Sequence, residues 1–509
     1  MKYSVLYVLS FFLSFPILGQ QVNPSEYAAT ISQQDLKKLL TIIASDSLEG
    51  RETGTRGQKM AAAFIAEEFK QLGLHPVVPT QTGPSFLQNF TLENYAENGI
   101  YLGSGDNRFS LGDDILFAGL NGMEDPLKNN VVFIPHEKTK NLAGIKIRDN
   151  IVLVAGINMT TSEQRELTAN AYKHGANMVI IIPFKSREAF KKYKRSEGRN
   201  YARRHYAFAQ MADKRMPRGY FLVSPQIGAS LLGVTQEVMQ NLLDSGLNAN
   251  EINKLNARKR TISYFTSLPT KQITTENILG YLEGTDKKDE LVVITAHYDH
   301  LGHRGEIIYN GADDDGSGTT SVLEIAEAFA KAKAGGHVPR RSILFMMFTG
   351  EEKGLIGSQY YTSHPIFPLA TTLVDLNIDM VGRHDKAHDG NREFVYVVGS
   401  DRLSSDLHQL NEQTNATFTH LTLDYTYNDE NHPDRIYYRS DHWNFAKHQV
   451  PIIFYFNGVH EDYHQPTDTV DKIEFDLLQK RAQLVFYTAW AIANRDQRLV
   501  VDKIKDVKP

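Results

Sequence analysis

Cysteine is missing from all 509 residues, which excludes thiol nucleophiles, disulfides and lipid attachment through cysteine together. The Gly-x-Ser-x-Gly turn that exposes a serine nucleophile is missing too, because the Gly-Ser-Gly at 316–318 lacks the leading glycine. No His-Glu-x-x-His helix is expected. The segment His297-Tyr-Asp-His-Leu-Gly-His303 lacks the leading His-x-His of metallo-β-lactamases. No internal repeat or low-complexity tract is visible. Neither sign of charge dominates: 55 Lys and Arg against 60 Asp and Glu leave a net charge of -5, with a pI near 6.4. That balance gives no whole-chain case for nucleic-acid binding.

What is present describes an ordinary globular chain, with 41% hydrophobic and 23% charged residues. Its length calls for two domains, or one with a large insertion. Lys2 precedes an apolar run from Tyr3 to Leu18, broken by Pro16 and ending at Gly19-Gln20-Gln21. This resembles a secretory signal peptide over residues 1–20. The run is short for a membrane anchor and holds a proline, so no stable membrane insertion is expected after its removal. Export without cysteine fits a Gram-negative periplasm or the exterior.

Ile31 to Gly73 reads as helical, with a glycine-marked loop at Ser47 to Thr55. Strands at Val131–Ile134, Ile151–Ala155 and Met178–Pro183, with a helix from Ser162 to His174, suggest a small α/β unit of its own. A basic stretch from Lys185 to Arg218 reads as a solvated insertion or helix face, because aromatic and glycine residues do not recur in a binding pattern. From Thr275 strands alternate with helices. The expected fold is α/β, a mostly parallel mixed sheet with helices on both faces and the site at its carboxyl edge. The expected division is 24–105 and 269–500 for the main domain, with 106–268 inserted.

Five dispersed groups end apolar, strand-like runs: His297, the acidic turn at Asp313-Asp314-Asp315, Glu351-Glu352, Asp379 and His464. Asp299 lies two residues beyond His297, on the same side of an extended chain, where it can hold the imidazole by its second nitrogen. Three adjacent carboxylates repel one another unless a cation is close. A calcium loop would place its acids at alternating positions, and this turn does not. Adjacent glutamates point in different directions, so one can bind metal while its neighbour faces water. Imidazole and carboxylate donors suit zinc. Three ligand carboxylates and a bridging hydroxide balance two zinc ions, which argues for two metals rather than one.

The ordered set His-x-Asp, Gly-Ala-x-Asp-Asp-Gly-Ser-Gly, Glu-Glu, Asp-Met and His resembles the zinc aminopeptidase family that includes bacterial leucyl aminopeptidases and glutamate-carboxypeptidase-like enzymes. The loop Leu48-Glu-Gly-Arg-Glu-Thr-Gly-Thr55 and Phe69 to Leu74 add to it. The insert around Asn129 to Pro183 resembles a protease-associated domain, a non-catalytic lid or binding module in such enzymes. The resemblance implies Asp314 as the carboxylate bridging two zinc ions. His297 and Asp379 complete one site, and Glu352 and His464 the other. It implies Glu351 as general base, Asp299 as the partner of His297, and Tyr437 as a donor to the oxyanion; Asp313 and Asp315 receive no ligand role. Peptides or proteins are the implied substrates. A carboxypeptidase or dipeptidase of the same fold would need a cation, for which Arg383 and Arg439 lie near site segments. The same scaffold also allows a glutaminyl cyclase or a non-catalytic binding protein.

Overall fold

Two neighbouring strands explain the architecture. Along Lys287–His297, Val292, Ile294 and Ala296 enter one core while Leu291 and Val293 enter another. Along Arg341–Phe348, Ile343, Phe345 and Met347 alternate in the same way with Leu344, Met346 and Phe348. Strands apolar on both faces need cover on both. Helices Gln33–Ile43, Arg56–Gln71, Gly318–Ala334 and Phe475–Asn494 supply residues to the first core. Helices Ile356–Ser363 and His442–Ala446 supply the second.

The computed structural model describes residues 23–503, apart from 96–99, 112–113, 120–122, 124, 203–205, 209–218, 267–268 and 430–431. The expected signal peptide lies outside the described residues, as does part of the basic stretch. Among the described residues the larger sheet has nine strands. Its middle is parallel: Ile452–Phe456, Thr372–Ile378, Lys287–His297 and Arg341–Phe348 lie side by side in that order. Beyond Arg341–Phe348, the pairings through Pro269–Leu282, Leu87–Tyr95 and Tyr206–Phe208 are antiparallel. On the other flank Phe394–Val398 is antiparallel to Ile452–Phe456. The parallel character is thus concentrated in the middle, where the site residues are.

Leu87–Tyr95 and Pro269–Leu282 pair with each other, and the chain between them builds a second sheet of eight strands among the described residues. Ile151–Ala155 lies parallel between Leu127–Pro135 and Met178–Ile182. It feeds two cores of its own, Ile151 and Leu153 on one side and Val152 and Val154 on the other. Strand Tyr101–Ser104, which the division at 105/106 leaves in the first segment, pairs with Thr261–Phe265 inside this second sheet. The insertion also reaches back, since Tyr206–Phe208 pairs with Leu92 to Asn94 on the larger sheet.

The loop after the first long helix is held by Arg51, which is fully buried. Its guanidinium donates to the carbonyls of Ile43 and Asn310 at 2.6 Å, Tyr298 at 2.8 Å and Gly311 at 2.9 Å. One side chain therefore ties the N-terminal helices, the end of Lys287–His297 and the acidic turn together. Arg51→Met leaves four buried carbonyls without this donor and is expected to lower stability by at least about 3 kcal/mol. The check is a fall in the denaturant midpoint at unchanged slope.

Candidate metal centre

The four parallel strands place their carboxyl ends next to one another, the edge where open α/β sheets form sites. His297 ends one strand, Glu351 and Glu352 follow the second, Asp379 follows the third, and His464 sits in the loop after the fourth. Asp314 comes from the irregular turn Ala312–Ser317, ahead of helix Gly318–Ala334. His297 Nε2 lies 3.4 Å from Asp314 Oδ1 and 3.6 Å from Asp379 Oδ1. His464 Nε2 lies 3.0 Å from Asp314 Oδ2 and 3.1 Å from Glu352 Oε1. The two oxygens of Asp314 thus face different imidazoles, and all five expected ligands converge.

The turn separates its three aspartates by what each carboxylate contacts. Asp313 accepts from the Gly382 amide at 2.7 Å and approaches His460 Nε2 at 3.0 Å. Asp315 Oδ1 accepts from the amides of Gly318 at 2.9 Å and Met380 at 3.0 Å. Asp468 holds the turn from below through its carboxylate, accepting from the Asp313 and Asp314 amides. One ligand-capable atom each from His297, Asp315 and Asp379 lies within 4.8 Å of the others, and the same holds for His300, Asp314 and Glu352. Asp315 therefore comes closer to the first group than the resemblance implies. Sequence reasoning misses His300 and Asp468. His300 stands three residues beyond His297 and Asp468 four beyond His464, so proximity to expected ligands is the available signal.

Asp299 acts differently from the expectation. His297 Nδ1 meets the Asp299 backbone carbonyl at 3.0 Å, whereas the Asp299 carboxylate is 3.8 Å away. The carboxylate instead accepts from the Thr53 hydroxyl at 2.7 Å and the Glu351 amide at 3.1 Å. A proton on Nδ1 bonded to that carbonyl leaves Nε2 with its lone pair towards Asp314 and Asp379.

The electrostatics fit a cationic occupant. Burial disfavours charge at His464, but Glu352 and Asp314 outweigh it and hold the imidazole at about 9. Burial also opposes charge at His297, and Asp379 and Asp314 still hold it well above its ordinary value. Burial, opposed by His297 and reinforced by Glu352 and Asp379, pushes the Glu351 carboxyl well above the usual range. His297 Nε2 and both ring nitrogens of His300 are buried and make no hydrogen bond among the described residues. Buried nitrogens of this kind, surrounded by carboxylates, are the donors a zinc ion uses.

A pocket opens against Asp314, Glu351 and Asp379, walled by Met380, Phe454 and Phe456. Arg439 and Tyr463 also line it. Arg383 is committed elsewhere, 3.2 Å from Asp462. Tyr437 is buried in the second core, with the Arg402 guanidinium 4.7 Å above its ring. His460-Glu-Asp-Tyr-His464 does spell the His-Glu-x-x-His pattern, but it is a run of turns with its two imidazoles on Asp313 and Asp314. No helix presents them together, so the pattern carries none of its usual meaning.

The chain is similar to known proteins over most of its length. Aminopeptidase YwaD of Bacillus subtilis (strain 168) is 23% identical over 505 residues, 94% of this chain and 91% of that one. A probable leucine aminopeptidase of Arthroderma otae is 30% identical over 215 residues, 41% of this chain and 55% of its own length. The fold matches an aminopeptidase from Aneurinibacillus sp. strain AM-1 with a TM-score of 0.60 at 19% identity, covering 95% of this chain and 99% of that one. It matches BSAP, a zinc aminopeptidase from Bacillus subtilis, with a TM-score of 0.52 at 19% identity, covering 94% and 99%. Residues 277–489, which hold every expected ligand and Glu351, match the model of peptidase family M28, so across the segment that builds the site the chain is similar to that family.

Proposed function

We propose that this chain is a secreted two-zinc exopeptidase that releases N-terminal residues from peptides, with Glu351 as general base. The observation that carries this reading is the placement of five donors around the two oxygens of Asp314, with Glu351 lining the same pocket. His297, Asp314 and Asp379 would hold one ion, and Asp314, Glu352 and His464 the other. When bound, such ions acidify water and polarise a carbonyl. Glu351 then takes a proton from the attacking water on its carboxylate and passes it to the leaving amine nitrogen. Asp299 steadies this base through the Glu351 amide. The oxyanion role for Tyr437 rests on the resemblance alone.

Relatives named aminopeptidases support action at the N-terminus. The leader-like run from Tyr3 to Leu18 supports export. Among the described residues no helix is long and apolar enough to cross a membrane. The inserted unit fits a non-catalytic role, since among the described residues both metal-competent groups lie in the larger domain. One observation favours a second reading, a carboxypeptidase or dipeptidase: Arg439 is exposed, lines the pocket and makes no ion pair among the described residues, so it can meet a substrate carboxylate.

Two experiments test the proposal. Glu351→Gln is expected to keep both zinc ions and lose about 10²–10⁴-fold in kcat, while Glu352→Gln loses metal. Equal metal loss in both variants refutes the division of labour. Amino-acid anilides are expected to be cleaved and N-blocked dipeptides with a free carboxylate spared; the reverse pattern establishes the carboxylate-reading enzyme instead.

A further inference from the structure

The turn that carries Glu351 is tied directly to the helix after it. The Gly354 and Leu355 amides donate to the Glu351 carbonyl at 2.8 and 3.0 Å, and the Ile356 amide donates to the Gly350 carbonyl at 2.9 Å. Helix Ile356–Ser363 starts there, so whatever fixes its first turn also fixes Glu351. A strand of the inserted unit does this. Tyr206–Phe208 pairs with Leu92 to Asn94 and packs Tyr206 and Phe208 on a small separate core of Phe90, Leu92 and Ile356, with Tyr360 beside it. Tyr360 stacks on Phe90 with centroids 4.4 Å apart, and Phe208 meets these two rings at 5.7 and 6.0 Å.

A second contact reaches the turn itself. Lys353 Nζ lies 2.5 Å from Glu52 Oε1 and 5.5 Å over the Tyr206 ring, with only 12% of its side chain exposed. Glu52 is flanked by Arg51 and Thr53. Thr53 donates to the Asp299 carboxylate, which in turn accepts the Glu351 amide. Glu351, Asp299, Thr53, Glu52 and Lys353 therefore form a closed ring of contacts around the turn. Gly302, at φ +77°, passes so close that a Cβ there would stand 2.7 Å from Glu52 Cβ. That backbone approach confines Glu52 opposite Lys353.

Resting on the general-base role of Glu351, we infer that Lys353 and Glu52 are positioning residues for that base, and that the inserted unit keeps them paired through Tyr206. An ion pair open to water contributes little. Covered by an aromatic face, the ammonium is partly desolvated and its pull on both partners is stronger. The inserted unit has no metal-competent group of its own among the described residues, yet by this route it acts on turnover.

Steady-state kinetics on the zinc-loaded enzyme test this. Lys353→Met is expected to lower kcat about 10- to 100-fold, the effect of misplacing a catalytic group by about 1 Å, at unchanged KM and zinc content. Lys353→Arg restores most of the loss, because a guanidinium can meet Glu52 and still lie over the Tyr206 ring. Tyr206→Ala is expected to lower kcat at least about 3-fold, and Tyr206→Phe to recover it. Adding Glu52→Gln to Lys353→Met brings no further loss, since the two act as one unit. A folded Lys353→Met enzyme with wild-type kcat, or with a loss confined to KM, overturns the inference. Unchanged kcat in Tyr206→Ala overturns it too, even if Lys353→Met fails to fold. Full kcat in Glu351→Gln instead sinks the general-base reading on which it stands.

Discussion

The two oxygens of Asp314 face in different directions, one towards His297 and one towards His464. This single carboxylate is what makes the scattered ligands one centre instead of two unrelated clusters. It cannot be placed by a regular element, because neither a helix nor a strand would aim Asp313, Asp314 and Asp315 at three separate partners. The irregular turn does so, and it is fixed from several sides: Asp468 on its amides, Arg51 on the carbonyls of Asn310 and Gly311, and Gly311 in the left-handed region where it passes His300. Much of the surrounding structure is needed to hold that turn.

Burying so many carboxylates has an electrostatic consequence. Arg51 is buried among them, and burial lowers its guanidinium to about 10, against the opposing pull of Asp299 and Asp468. Asp299, Asp313, Asp315 and Asp468 are bound to amides, hydroxyls or imidazoles, which share their charge without a free cation. What remains is a set of donors whose own histidines carry the positive charge only by holding protons. Metal binding replaces those protons, so the fold is built around a charge that the polypeptide supplies only in part.

Much of this is legible in the sequence because the parallel strands are apolar on both faces and end abruptly in polar residues. Leu291 to Ala296 and Ser342 to Phe348 announce themselves as buried strands, and a residue just past such a run sits at the carboxyl edge whatever the rest of the topology. His297, Glu351, Glu352 and Asp379 follow from that rule. The antiparallel flanks do not, since Pro269–Leu282 and Leu87–Tyr95 pair across an insertion of more than 170 residues in sequence, and no local pattern encodes such a partner. Arg51 and Thr53 read as a loop because their partners, Tyr298, Gly311 and Asp299, are equally remote. His300 escapes notice because a histidine near a ligand carries no mark in the sequence that separates it from a surface residue; its burial does. Asp299 is matched to the correct neighbour, but period-two reasoning along an extended chain cannot tell a carboxylate contact from a backbone one.

The central claim is that Asp314 joins two cations. Anomalous diffraction at the zinc edge from crystals of the zinc-loaded enzyme tests it most directly. The account predicts two peaks, one against each oxygen of Asp314, with His297 beside the first and His464 beside the second. A single peak, or two peaks that do not share Asp314, would contradict it.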